Sequence, residues 1–386
     1  MKVIYILDTF PKISETFILN EILEMQKKGI VIEIYAFSKA NEDKFHSGVI
    51  NIKKIEYCSK LKMIEELRYH IYLLLTRPIN YLKTLLFSLN RKNQVLKLFL
   101  SKLSFMLLIV KARPDHIHAH FGHRTSSMAM LIKLLYGVPF TFTTHRYDIF
   151  DTPPRNYRIK SELAKKHVTI SEYNKQYMVT NFGVEETDIE VIHCGVDFNR
   201  KFPLADSKGR NVIISIARLE KHKGLDNLIK ACLELKRHNF KFQCLIVGEG
   251  SYKSELNKLI CDCGLTKEVE LLGSKTQDKV FDLLSKAKIG VLPSRSEGIP
   301  VSLMEAMACR VPAIGPDVNG VSELIEDGKC GFLVPPDNIN MLVEKIKILL
   351  TDENLRTKFI ENGYEKVFKE FNLERETDKL LKIWGN

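Results

Sequence analysis

Short apolar runs alternate with longer amphipathic stretches along the whole chain, a pattern that predicts βα units and parallel sheets buried on both faces. In the first half, Lys2–Leu7, Val31–Phe37, His116–Phe121, Phe140–Thr144 and His167–Ile170 read as strands. Between the first two, the stretch from Ser14 to Leu23 reads as a helix, with Ser14 as its N-cap and Gly29 as its stop. Val191–Asp197 ends the first sheet, and the polar run Arg200–Arg210 reads as a connector. A second alternation then brings Asn211–Ala217, Phe242–Val247, Val269–Leu272, Ile289–Pro293, Pro312–Ile314 and Gly331–Leu333, with helices such as Leu225–Arg237 between them. The amphipathic stretch Leu373–Trp384 is expected to pack back on the first half. The expected organisation is therefore α/β: one Rossmann-like domain over 1–200, joined by helix 373–386, and a second over 211–372. Open parallel sheets carry their ligand loops at the carboxyl ends of the strands, and two such edges facing each other would line a central cleft.

Composition narrows the class. A chain of 386 residues suits two cores better than one, and 45% hydrophobic with 27% charged residues is unlike a disordered chain. No uninterrupted apolar run reaches the roughly 18 residues of a membrane span. The first residues have neither the basic n-region nor the apolar h-region of a signal peptide, so a cytoplasmic location is expected. The eight cysteines are scattered; Cys261 and Cys263 stand too close for a structural zinc pair, and Cys244 sits in an apolar run. Reduced thiols are the expectation.

The formal charge of +11 calls for an anionic partner. From Lys53 to Arg113 the bases Lys53, Lys54, Lys60, Lys62, Arg68, Arg77, Lys83, Arg91, Lys92, Lys97, Lys102, Lys111 and Arg113 face only Glu56, Glu65 and Glu66. Apolar groups such as Ile71–Leu75 and Leu103–Leu108 lie among them. A basic, amphipathic, helical segment suits an anionic membrane surface, here the inner face of the cell membrane. A packed helix pair with a solvated basic face is the plainer alternative. Nucleic acid is not expected, because the aromatic interleaving of a stacking platform is missing.

The strongest chemical signal is Ser294–Ala306. A buried strand runs into a loop holding Glu297, Pro300 sits where a helix could start, and Glu305 follows about one turn in. The amides of Gly298, Ile299, Val301 and Ser302 would form a donor-rich end for a phosphate or sugar oxygens. A carboxylate on such a helix can accept two vicinal hydroxyls; alternatively both acids are ordinary dipole-friendly surface residues. Arg218 and Lys223 follow the first strand of the second half, at the same sheet edge, and suit a departing diphosphate. Gly248, in Val247-Gly248-Glu249-Gly250, permits close approach of a ligand or a turn, and Ser274 ends another strand. In the first half, His116, His118 and His120 share one strand face at period two. A metal site there is not expected, since a buried strand leaves no open coordination position. His120, nearest the carboxyl edge, and His145, ending the next strand, are ligand candidates; each could equally be a satisfied core histidine.

Together these segments resemble the retaining glycosyltransferases of family 4, which have the GT-B fold, over nearly the whole chain. Glu297 and Glu305 resemble the family's E-x₇-E element, Arg218 and Lys223 its R-x₄-K pair, and Ile192–Asp197 its inter-domain N-G-V-D segment, with Cys194 where Asn is commoner. Ser14–Ile18, His118–Gly122 and Thr144–Asp148 look like a subgroup that makes bacterial exopolysaccharide, lipopolysaccharide and capsule. The resemblance implies a nucleotide-sugar donor, a UDP-sugar in preference to a GDP-sugar, and a saccharide or lipid-linked acceptor. It implies Glu305 on the ribose, Glu297 on the transferred sugar, Arg218 and Lys223 on the diphosphate, and His120 near the reaction centre. The transfer would retain anomeric configuration by front-face displacement. No D-x-D motif stands in the chain, so neither a metal nor another cofactor is expected. The loop Asp8–Ser14 departs from the family in lacking paired glycines. Lys12 or Ser14 would serve the donor there, or the loop would face the acceptor. A nucleotide-sugar epimerase, a phosphorylase and a non-enzymatic basic protein are the alternative readings. The first is disfavoured by the E-x₇-E element and the second by the lack of a lysine-bound cofactor motif.

Overall fold

The computed structural model describes residues 1–40, 47–59, 63–91, 94–154, 156–203 and 211–385. Lys60, Lys62, Lys92 and residues 204–210 of the expected connector lie outside the described residues. The chain forms two compact units: Met1–His193 with Thr377–Asn386, and Cys194–Glu376.

Unit 1 begins with β1 (Lys2–Phe10), α1 (Thr16–Lys27), β2 (Val31–Lys39) and β3 (Ile55–Tyr57). Four helices follow, α2 (Met63–Thr76), α3 (Pro78–Asn90), α4 (Gln94–Ser101) and α5 (Leu103–Lys111). The chain then returns to the sheet through β4 (His116–His120), α6 (Arg124–Tyr136), β5 (Phe140–Thr144), α7 (Tyr157–Leu163), β6 (Lys166–Thr169), α8 (Glu172–Phe182) and β7 (Ile189–Val191). All strands pair in parallel in the order β3-β2-β1-β4-β5-β6-β7, so the winding reverses between β1 and β4.

Alternation along β1 feeds two cores. Ile4 and Ile6 point into the cluster with α4, α5 and α6, while Val3, Tyr5 and Leu7 point into the one with α1. Each such buried aliphatic side chain stabilises the fold by ~1.5–3 kcal/mol. β1 and β2 outrun their apolar stretches, because pairing continues through Thr9↔Ser38 and Phe10↔Lys39. α1 also differs from expectation: Ser14 is exposed, and the N-cap is Glu15, without a side-chain cap bond. A turn comes first, with the Glu15 amide donating to the Lys12 carbonyl at 3.1 Å and Lys12 Nζ to Glu15 Oε1 at 2.8 Å, which shifts the start to Thr16.

Unit 2 runs β8 (Val212–Ile216), α9 (Leu225–Arg237), β9 (Gln243–Val247), α10 (Lys253–Asp262), β10 (Val269–Gly273), α11 (Gln277–Leu284), β11 (Ile289–Val291), α12 (Val301–Ala308), β12 (Ala313–Pro316), α13 (Val321–Leu324), β13 (Gly331–Val334), α14 (Ile339–Thr351) and α15 (Glu353–Glu370). Its parallel sheet has the order β10-β9-β8-β11-β12-β13, with the reversal between β8 and β11. α16 (Leu373–Gly385) begins in unit 2 and belongs to unit 1 from Thr377 onward. There Leu380 and Trp384 are buried against the β1 face, and the Trp384 indole donates to Thr141 Oγ1 at 3.0 Å. Cys232 and Cys244 are fully buried core residues, and all eight thiols are free. Among the described residues, no helix is long and apolar enough to cross a membrane.

Candidate active site

In an open parallel sheet, the point where strand order reverses leaves a crevice at the carboxyl edge. In unit 2 that point lies between β8 and β11, and the loops after these two strands carry the predicted residues. The loop after β8 holds Arg218, a 3₁₀ turn over Lys221–Lys223, and Gly224. Gly224 has φ +63° and lies so close to the loop after β11 that a Cβ would stand 2.0 Å from the Pro293 carbonyl oxygen. Gly248, with φ +150°, likewise lets the loop after β9 press on Ala217, where a Cβ would lie 1.8 Å from its carbonyl oxygen. Backbone contact thus draws three strand-end loops into one edge.

The β8 and β11 loops are then joined through side chains. Lys223 Nζ lies 2.6 Å from Glu297 Oε1, which also accepts from Ser294 Oγ at 2.6 Å. Asn319 donates to the Glu297 carbonyl at 2.7 Å. Glu297 is buried, whereas Arg218 is exposed and its guanidinium makes no hydrogen bond or ion pair among the described residues. Pro300 is the N-cap of α12 rather than its first residue, since its extended backbone (φ −77°, ψ 111°) precedes the first helical turn. Its carbonyl accepts from the Leu303 and Met304 amides, leaving those of Val301 and Ser302 at the helix start. Ile299 buries its side chain in the core, so only its backbone is available to a ligand.

Glu305 is buried on α12 and accepts from Gln277 Nε2 at 2.8 Å. Burial raises its carboxyl to about 7, against lowering by Gln277 and the charge of Arg200. Arg200 donates to Gln277 Oε1 at 2.9 Å and pairs with Asp278. Ser274 is half-buried just past β10. One residue inside the predicted motif has a role that was not anticipated. Arg295 forks onto Asp226 at 3.0 and 2.9 Å, reaches Asp337 at 2.7 Å and the Lys221 carbonyl at 2.7 Å, and its amide donates to the His222 carbonyl at 2.7 Å. It pins the loop carrying Glu297 to the turn carrying Lys223, and the paired carboxylates hold its own pKa far above the usual range.

The corresponding reversal in unit 1 brings the β1 loop beside the end of β4, and here the chemistry is imidazole. His120 is buried, with Nε2 3.2 Å from Glu21 Oε1 and Nδ1 3.2 Å from His145 Nε2. Both its ring nitrogens are therefore engaged inside the unit. His145 is 8% exposed against 1% for His120, and its ring stacks on that of His120 at 5.5 Å. His118 meets Thr141 at 2.7 Å and Thr143 at 3.2 Å; Tyr5 donates to Glu21 at 2.8 Å. Glu21, His118 and His120 offer ligand atoms within 4.8 Å of one another, all of them already in these hydrogen bonds. Burial lowers His118 and His145 well below the ordinary value, so both are neutral at pH 7. Lys12 is bound to Glu15, and Ser14 is exposed on the same loop.

Sequence reasoning missed Glu21, Asp148 and Lys160. Asp148 Oδ2 accepts from the His145 amide at 3.1 Å, and burial raises its carboxyl to about 7. Lys160 is buried with Nζ 2.6 Å from the Gly122 carbonyl, and burial lowers it to about 7. A carboxylate three residues past the histidine was a visible signal; the distant lysine had none.

Two doubly wound parallel sheets in one chain, one with paired cations and carboxylates at its reversal point, describe a glycosyltransferase of the GT-B fold. Residues 14–200 match the family described as Glycosyltransferase Family 4, and residues 197–366 match Glycosyl transferases group 1. The chain is 30% identical over 99% of both lengths to WcaL of Escherichia coli (strain K12), named as a colanic acid biosynthesis glycosyltransferase. It is 28% identical over 96% of both lengths to the amylovoran biosynthesis glycosyltransferase AmsK of Erwinia amylovora. Among solved structures, Anabaena Alr3699/HepE in complex with UDP-glucose aligns over 98% of both chains with TM-score 0.76 at 16% identity, a likeness of fold. The chain belongs to glycosyltransferase family 4.

Proposed function

We propose that the enzyme transfers a sugar, with retention, from a nucleotide-sugar donor to a saccharide or lipid-linked saccharide during cell-surface polysaccharide synthesis. The observation that carries the donor site is the joining of Lys223, Glu297 and Ser294 across two loops at the β8/β11 reversal, with Glu305 behind them. Arg218 and Lys223 hold the diphosphate and stabilise it as it leaves, the term that usually contributes most to such catalysis. Glu305 accepts the ribose hydroxyls once ionised, and Glu297, aided by the amides of Gly298, Ile299 and Val301, holds the transferred sugar. Gly248 and Ser274 bound the place of the base. With two protein cations on the diphosphate, no divalent ion is assigned a role. The UDP-glucose bound by HepE supports a UDP-sugar over a GDP-sugar.

Unit 1 takes the acceptor. There the sugar contact moves from His120 to His145, with His120 behind it fixing the ring through Glu21. Lys12 and Ser14 border the same edge. The polysaccharide assignment is supported by the names of WcaL and AmsK, and the basic helices of unit 1 support a peripheral position on the cytoplasmic face of the membrane. A thermal-shift series with UDP-, GDP-, ADP- and dTDP-sugars tests the donor, because a ligand that binds only the folded state raises its melting temperature. Stabilisation by UDP-sugars alone is expected; stabilisation by none of the four would overturn the donor site.

A further inference from the structure

The outer helices of unit 1 turn their apolar side away from the protein. On α2 the inner residues are Glu66, His70 and Leu73, while Ile64, Leu67, Ile71 and Leu75 are between 51% and 76% exposed. On α3 the inner residues are Tyr81, Thr84 and Ser88, while Ile79, Leu82, Leu86 and Leu89 are between 46% and 66% exposed. Both outer sets advance by three and four residues, so each forms one continuous stripe.

The inner polar groups fix this orientation. Glu66 accepts from the Ser104 amide at 3.0 Å, His70 meets the Tyr81 hydroxyl at 3.0 Å and the Leu100 carbonyl at 3.1 Å, and Asn80 of α3 donates to the Leu135 carbonyl at 3.1 Å. Rotating either helix to bury its apolar stripe would break these bonds and bury the bases instead. Contiguous exposed apolar surface of this kind marks an interaction site.

Charge selects the occupant. Arg68 and Lys83 are exposed on the same arcs as the stripes, and Arg77 and Lys97 are exposed nearby. Glu65 is the one exposed acid on α2, and α3 has no acidic residue. Two copies meeting through this face would oppose base to base, whereas anionic headgroups would neutralise it. The helices, with 14 and 13 residues, are too short to span a bilayer.

We propose that α2 and α3 lie in the plane of an anionic bilayer surface, with Ile64, Leu67, Ile71, Leu82 and Leu86 inserted below the headgroups. This deepens the membrane position given above from electrostatic adsorption to apolar insertion by named residues. Vesicles containing phosphatidylglycerol are expected to float the full-length protein, and part of that binding should survive high salt, which screens charge but not insertion. Leu67→Glu, Ile71→Glu and Leu86→Glu are expected to weaken flotation by about tenfold or more each, and Arg68→Ala with Lys83→Ala by less. The tryptophan of Leu86→Trp should be quenched by brominated acyl chains, whereas Trp384 is buried. Unchanged melting temperature and UDP binding of these variants in solution separate loss of the surface from loss of the fold or the donor site. Absence of flotation in a protein that binds UDP would overturn the insertion and leave the donor site standing; flotation without UDP binding would do the reverse. Flotation wholly abolished by salt, or a solution dimer broken by Leu67→Glu, would also overturn it.

Discussion

The two sheets offer the same kind of place, a carboxyl edge where strand order reverses, and equip it in opposite ways. In unit 2 charged side chains stand on loops and are paired across them: Lys223 with Glu297, and Arg295 with Asp226 and Asp337. In unit 1 the groups at the edge are the buried imidazoles of His120 and His145. Desolvation holds His145 well below the ordinary value, as it does His118 farther down β4, and it lowers His116 and His167, at the amino ends of their strands, to about 3. A site of cations and carboxylates suits a diphosphate and hydroxyls. A neutral imidazole can exchange hydrogen bonds with hydroxyls without attracting a phosphate. The topology supplies the crevice, and in the proposed function the charge of its lining divides the roles.

The comparison can be broken first from the unit 1 side. Trp384 closes the histidine wall, with its ring 5.7 Å from His116 and 5.5 Å from His118. Trp384→Ala should cost about 3–5 kcal/mol of stability in denaturant unfolding. NMR titration should then show His116 and His118 moving up toward ordinary values as water enters. Unaltered titration would mean that burial is not what keeps them neutral.

Next in size, Arg218→Ala and Lys223→Ala should each lower turnover by about 10²–10³-fold, the effect of losing one preorganised electrostatic group, with melting unchanged for Arg218→Ala and lowered for Lys223→Ala, which leaves the buried Glu297 without its cation. Full activity in both would remove the diphosphate assignment.

A smaller effect is expected from pH. Burial raises the Glu305 carboxyl to about 7, so it is protonated and donates one hydrogen bond at pH 6, but accepts two when ionised at pH 8. UDP affinity should therefore rise through pH 7 by about tenfold, and Glu305→Gln should flatten the profile. In the free protein the sign is opposite. A carboxyl raised on folding stabilises fully below its unfolded pKa, and that contribution is lost as pH rises through about 7. Melting curves at pH 5 and pH 8 for wild type and Glu305→Gln check it.

The smallest effect belongs to Ser294→Ala, which removes one of two hydrogen bonds to Glu297 Oε1. A loss of about 1.5–3 kcal/mol is the ceiling for a bond to a charged group, and Lys223 should compensate part of it. A several-fold rise in KM for the donor sugar is expected from steady-state kinetics.

Much of the architecture was legible because strands buried on both faces must be nearly continuous apolar runs. Val3–Leu7 and Val212–Ile216 could be little else. The gathering of Arg218, Lys223 and Glu297 at one sheet edge was legible too, since each follows directly on a strand of the same parallel sheet. Partnership was not legible. Nothing local says that Arg295 spans to Asp337, that Gln277 meets Glu305, or that Glu21 faces His120 across 99 positions. The direction of α2 was legible only as a choice between two. Its apolar stripe suits either a membrane surface or a packed neighbour, and the partners of Glu66 and His70 decide which side faces the protein.

The division of labour between the two edges is tested most directly by titrating UDP calorimetrically into wild type, Arg218→Ala, Glu305→Ala and His145→Ala. The account predicts that Arg218→Ala and Glu305→Ala bind UDP at least about tenfold more weakly, since each loses an interaction of ~1.4 kcal/mol or more, while His145→Ala binds like wild type and loses only transfer. UDP binding that survives both unit 2 substitutions and disappears with His145→Ala would contradict it.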